Sequence, residues 1–357
     1  MKYRFITTLL AVVILMTHSY AQKKAPPPPP FQLMRPMPKR CWPKFHPGPF
    51  GQTMETTMKK LLAVLAATTV LASPALAQDA IKEFNIGILG GENAQDRLTA
   101  NECFRAAIEK DLGVPVKLFT PADYDGVIQG LLGGTLDMAF LGASAYAKIY
   151  LTDPAAVEVK LTTKHMNGTI GYYSIGFARA DSGITSMDDA KGKSFAFADP
   201  NSTSGFLVPA AELSAKYGKL EDYFSEVKMS GGHEQTIVGV ANGDFEAGVS
   251  WADGDGAWED GFSAGAFRKA ADAGLVDMNQ IVEIWRSTMI PEGPMVVRAA
   301  LPADVKDKVT KLSADLAETD KECFYGVSGG ENLDFVDITH DYYLGILEAR
   351  KLQESMN

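Results

Sequence analysis

From Phe84 onward this chain alternates short apolar runs with amphipathic helical ones, and each run of the first kind empties into a turn of small or polar residues. Phe84 to Leu89 leads through Gly90-Gly91-Glu92-Asn93 into a helix over about residues 96–112. Pro115 to Phe119 precedes a helix that begins near Tyr124 and stops at Gly133-Gly134. Leu136 to Leu141 opens into Gly142-Ala143-Ser144 and another helix. The switch between a strand period and a helical period predicts α/β layers around a largely parallel sheet. In such sheets ligands bind where strand C-termini meet helix N-termini. The same alternation runs a second time, through Lys193 to Ala198, a helix at Pro209 to Tyr217, a helix through Ile237, and the strand Ala247 to Trp251. Ile184 to Ala190 reads as a short helix, Ile281 to Trp285 and Met295 to Arg298 as returning strands, and the chain closes with helices. The expected division is lobe 1 at 78–178, lobe 2 at 179–283, and a return to lobe 1 at 284–357, with a ligand between the lobes.

The front end reads differently. Lys59-Lys60, an apolar run to Ala72 and Ser73-Pro74-Ala75-Leu76-Ala77 before Gln78 form a signal peptide over 58–77, too short to span a bilayer. Lys2 to Arg4, Phe5 to Met16 and Ser19-Tyr20-Ala21 repeat that arrangement, and a Pro-rich basic segment follows. Two export signals in tandem serve no mechanism. The expectation is therefore translation from Met58 or Met54, with 1–57 misassigned or non-native; the alternative is a genuine proline-rich linker.

Ten of the 34 basic residues and one of the 44 acidic ones precede residue 78, so 78–357 holds 24 and 43, a net charge of −19. Such a chain is a poor partner for nucleic acid or an anionic membrane surface, and no direct membrane insertion is expected. An anion would have to be held locally, by oriented amides and hydroxyls. Of three cysteines, Cys41 falls in the leader. Cys103 and Cys323 are disulfide candidates in an exported chain, with two buried thiols as the alternative, and their spacing fits no metal site.

One turn fits a local anion site. Asp199-Pro200-Asn201-Ser202-Thr203-Ser204-Gly205 joins a strand to a helix. The first amides of a helix lack partners, and the dipole there is positive, so amides and three hydroxyls are available to an oxyanion. Ordinary N-capping explains the same composition.

The chain resembles the periplasmic substrate-binding proteins of phosphonate ABC transporters, within the wider phosphate/phosphite/phosphonate-binding family, over about residues 81–350. The resemblance rests on Ile88 to Asn93, Ala122 to Gly130, Gly171 to Ser174, Asp199 to Gly205, Gly231 to Glu234, and Ile284 to Ser287 with Ile290-Pro291. It implies a two-lobed periplasmic binding protein fold, each lobe a mainly parallel sheet flanked by helices and joined by crossover strands. It further implies a periplasmic protein, not an enzyme, that works without a cofactor and passes its ligand to a membrane permease. By the resemblance, Ser202, Thr203 and Ser204 hold the phosphonate oxygens, and Tyr124, Tyr172 and His233 complete the cage. Two acidic positions that take a ligand amine in the family correspond to Asp253 and to Gly293, where Glu292 stands one residue earlier. Either the ligand lacks an amine or Glu292 takes the acid's place. Phosphite or phosphate binding, or ligand sensing for a membrane receptor, are the alternatives.

The enzyme readings are weak. Gly326-Val327-Ser328-Gly329-Gly330 matches a nucleophile-elbow pattern but follows a helical segment, where a turn is the simpler account. There is no phosphate-binding P-loop, and Asp253-Gly254-Asp255-Gly256 fits turn chemistry rather than a calcium loop.

Overall fold

The computed structural model describes residues 81–356, residue 92 excepted. The leader at 1–57, the signal peptide at 58–77 and Cys41 lie outside the described residues.

The strands are β1 Phe84–Gly87, β2 Val116–Phe119, β3 Met138–Phe140, β4 Val157–His165, β5 Gly171–Arg179, β6 Ser194–Phe197, β7 Glu226–Met229, β8 Ala247–Ala252, β9 Ile281–Arg286, β10 Ile290–Pro291, β11 Pro294–Arg298 and β12 Asn332–Asp337. The longer helices are α1 Ala94–Leu112, α2 Tyr124–Leu132, α3 Ala143–Thr152, α4 Val208–Tyr217, α5 His233–Asn242, α6 Ala266–Asp272, α7 Ala303–Ala314, α8 Lys321–Ser328 and α9 Leu344–Met356. They build two sheets. The first runs β12-β4-β11-β3-β1-β2, and the second β10-β5-β8-β6-β7 with β9 also on β5. In each sheet a parallel trio, β3-β1-β2 or β8-β6-β7, is extended by antiparallel strands. Apolar clusters cover both faces of both sheets, as buried parallel strands require.

Local signals set the helix ends. Asn93 caps α1 by accepting from the amides of Gln95 and Asp96, and Gly113 ends it in the left-handed region at φ 70°. Asp123 caps α2 through the amide of Gly126.

The chain crosses between lobes twice, at 166–170 and at 292–293. These crossovers run side by side, because β10 pairs with β5 and β11 with β4, all antiparallel. The expected lobe boundaries therefore need correction. The run 171–178, placed in lobe 1, is the central strand of the second sheet, and 284–291, placed with the return, also pairs there. A half-buried apolar run reads alike in either sheet, so only its pairing partners identify its lobe. Two further readings differ. Residues 184–190 form turns instead of a helix, because Asp189 takes hydrogen bonds from the Thr185 amide and the hydroxyls of Thr185 and Ser186, which compete with helical bonding. Strand β12 was not foreseen, and it forms the edge beside β4.

Cys103 on α1 and Cys323 on α8 are joined, with Cα atoms 5.8 Å apart, and so tie two helices of the first lobe.

Candidate ligand-binding cleft

The hydroxyl-rich turn begins a helix earlier than its sequence suggests. Thr203–Leu207 is a π-turn that continues into α4, with the Leu207 amide bonded to the Ser202 carbonyl at 3.0 Å. Wide turns of this kind concentrate at functional sites. Ser202 is the N-cap, its Oγ accepting from the Gly205 amide at 2.9 Å. Below it Asp199 Oδ1 accepts from the Asn201 amide at 2.7 Å, and Ser174 on β5 donates its hydroxyl to the Ser204 carbonyl at 2.7 Å. Ser202, Thr203 and Ser204 are all buried. Glycine is required at 205, where a Cβ would fall 2.6 Å from Ala198 Cβ and 2.8 Å from Ser202 Oγ.

His233 opens α5, and its ring spans two hydroxyls, with Nε2 3.0 Å from Ser202 Oγ and Nδ1 3.2 Å from Ser250 Oγ. Tyr172 is buried beside the turn; burial pushes its phenol up, the Glu292 charge adds to this, and the Ser204 and Thr203 hydroxyls pull the other way. Its ring meets Trp251 edge-on at 5.5 Å. Tyr124, the first residue of α2, is buried, and its amide faces Asp199 Oδ2 at 3.4 Å. Tyr124, Tyr172, Ser202, Thr203, Ser204, His233 and Glu292 line one cleft of about 720 Å³ between the lobes. Helix N-termini reach it, among them those of α2, α5 and the turn before α4, which suits an anion.

Asp253 departs from expectation, since it is not among the residues that line the cleft. It follows β8 at 1% exposure; its Oδ1 accepts from the Asp255 amide, and Oδ2 meets no donor among the described residues. Burial raises its carboxyl above the usual range. Glu292 does reach the cleft, from the second crossover, but its Oε2 is 3.0 Å from His165 Nε2 at the end of β4. Gly293 is backbone-tight, because a Cβ there would fall 1.8 Å from the Leu141 carbonyl oxygen. No longer side chain fits at that position.

The two walls also touch each other. Thr203 Oγ1 accepts from the Ser144 amide at the start of α3, and the Glu234 amide donates to the Gly91 carbonyl. Buried Arg350 on α9 donates to Ser144 Oγ, to the Pro200 carbonyl and to Asn201 Oδ1. Trp251 lines the cleft without having been expected there, and Ser144, Arg350 and His165 hold its wall residues from behind. The small-residue turn at Gly142-Ala143-Ser144 was the one available signal, since it repeats the strand-to-helix opening at which ligands gather.

Two sheet-centred lobes, two adjacent crossovers and a cleft between them that carries hydroxyl and imidazole groups define a hinged solute-binding protein. The comparisons with known proteins narrow that class. A family model described as "ABC transporter, phosphonate, periplasmic substrate-binding protein" matches residues 86–334, and the chain belongs to this family. That is a family of transport components rather than enzymes. The chain is 32% identical over 272 residues to the phosphonates-binding periplasmic protein of Escherichia coli K12, covering 74% of this chain and 76% of that one. It is 30% identical over 236 residues to a phosphate-import protein of Mycolicibacterium smegmatis, covering 64% and 70%. Among solved structures it resembles a binding protein component of an ABC phosphonate transporter from Pseudomonas aeruginosa, at 26% identity and TM-score 0.65, covering 76% of this chain and 86% of that one. The fold is also shared with a Prochlorococcus marinus protein solved with methylphosphonate, at TM-score 0.63 and 18% identity, covering 76% and 99%. Among the described residues, no helix is long and apolar enough to cross a membrane.

Proposed function

We propose that the cleft captures a phosphonate-type oxyanion, with the head group held by Ser202, Thr203 and Ser204, by the helix amides behind them, and by Tyr124, Tyr172 and His233. The observation that carries this reading is the buried π-turn at the cleft wall, where three hydroxyls and the start of a helix lie together. An oxyanion there meets preorganised donors in a water-poor site, so a net-negative chain can still hold it. Bound between the lobes, the ligand contacts both at once and favours the closed form over the open one. The closed protein then docks on the membrane permease of an ABC importer, after export directed by the signal peptide at 58–77. N-terminal sequencing of the exported protein should find Gln78 first, and Gln22 would overturn that leader assignment.

Phosphate and phosphite share the head-group chemistry, and the Mycolicibacterium relative is named for phosphate import. Titration calorimetry with methylphosphonate, ethylphosphonate, 2-aminoethylphosphonate, phosphite and phosphate decides among them. Binding of a phosphonate ahead of phosphate is the expected result, and no binding of any of the five refutes the reading.

A further inference from the structure

Each oxygen of the carboxylate on the cleft wall meets one partner from this chain. Glu292 Oε2 lies 3.0 Å from His165 Nε2, and Oε1 accepts from the Gly293 amide at 3.1 Å. The imidazole is 1% exposed, and its other nitrogen, Nδ1, lies 2.7 Å from Asn332 Oδ1. The orientation of that amide is set independently of the histidine. Its Nδ2 donates to the carbonyls of Ser328 and Gly330, which have no hydrogen to give, so the oxygen is the end that faces the ring. Nδ1 therefore carries a hydrogen. Nε2 faces a carboxylate oxygen, so with Glu292 ionised the doubly protonated ring is the form that satisfies both contacts. A neutral ring would set a lone pair against that oxygen in a buried site, an arrangement proteins avoid.

The surrounding groups agree with a charged ring. Burial alone pulls His165 down, but the hydrogen bond and charge of Glu292, the Asn332 acceptor and the Asp253 charge outweigh it and hold the imidazole above its ordinary value. Tyr172, Tyr342 and Tyr343 sense Glu292 from neighbouring elements, and burial keeps their phenols neutral. Asp253 supplies a negative field, but it does not line the cleft.

We propose that His165 sets the tail specificity of the cleft: as an imidazolium it cancels the charge of Glu292, so that oxyanions with uncharged tails are favoured over those bearing an ammonium group. The inference rests on the function proposed above and deepens it. An ammonium beside Glu292 would lose its water shell to a carboxylate whose charge is already balanced. The same pairing spares the anionic head group a bare negative charge near Tyr172.

The test is the affinity ratio of 2-aminoethylphosphonate to ethylphosphonate, measured by calorimetry near neutral pH. The wild type should favour ethylphosphonate. His165→Gln removes the positive charge and leaves Glu292 bare, and the ratio should move about tenfold toward the amine. The double variant, His165→Gln with Glu292→Gln, removes both charges together and should return the ratio to near wild type. An unchanged ratio in His165→Gln overturns the inference while leaving oxyanion binding intact. Failure of the wild type to bind either phosphonate removes the underlying function, and the inference with it. NMR of the imidazole nitrogens in the wild type decides the charge without any variant. Both nitrogens protonated near neutral pH supports the inference, and one bare nitrogen overturns it.

Discussion

Thr203 Oγ1 accepts the amide hydrogen of Ser144 at 2.9 Å, so a hydroxyl from the second lobe caps a helix of the first. The turn proposed to hold the ligand thus also fastens the lobes together. Thr203→Val keeps the shape and removes the acceptor. Losing a buried hydrogen bond costs about 1–3 kcal/mol, so affinity for the best oxyanion should fall by roughly ten- to a hundredfold. Calorimetry measures the affinity, and a melting curve close to wild type would place the loss in the cleft.

Gly232 and Gly91 bring the backbones of the two lobes together, a Cβ at 232 falling 2.1 Å from Gly91 Cα. The backbone of Gly232 is extended, at φ 169°, which any residue adopts, so Gly232→Ala acts through bulk alone. The methyl should prop the cleft open. Ligand affinity is expected to drop at least about tenfold, because a ligand that contacts both lobes loses its differential affinity for the closed state. Small-angle scattering on adding ligand should show compaction of the wild type and none of the variant.

Much of this architecture was legible as alternation, because a strand period of two and a helical period of 3.6 leave different apolar patterns. The cleft-lining residues on the turn and on α5 were legible for a related reason, since strand-to-helix openings carry small and hydroxyl residues in a row. Contacts between distant segments were not. Thr203 meets Ser144 across 59 positions, His165 meets Glu292 across 127, and Arg350 reaches Asn201 across 149. Nothing in a local pattern marks such partners. The lobe assignment of 171–178 failed for the same reason, as pairing alone decides which sheet a strand joins. No local pattern marks His165 either, and its contacts arise only where β4, β12 and the second crossover come together.

His165 also predicts a pH dependence of stability. Its folded-state value is raised above the ordinary 6.5, so the folded protein holds this proton more tightly than the unfolded chain. Its contribution is fully present below about pH 6.5 and is lost as pH rises through the folded value. The buried carboxyls of Asp199 and Asp253 are also raised, but from 3.8, so their window begins well on the acid side. Urea unfolding across the neutral and mildly alkaline range should show stability falling with pH in the wild type. The slope should flatten in His165→Gln.

The bond between Cys103 and Cys323 closes a loop of 220 residues and lies in the first lobe alone. Replacing both by alanine should cost about 2–5 kcal/mol of stability, since removal of a cross-link frees the unfolded chain. Denaturant unfolding measures this loss. Ligand affinity should stay within about twofold, because neither cysteine lines the cleft.

The central claim is the seat of the oxyanion, and a crystal structure of the protein grown with methylphosphonate tests it most directly. Phosphonate oxygens are expected within hydrogen-bonding distance of Ser202, Thr203 and Ser204 and of the amides that begin the π-turn. Methylphosphonate bound elsewhere in the cleft, with that turn untouched, would contradict it.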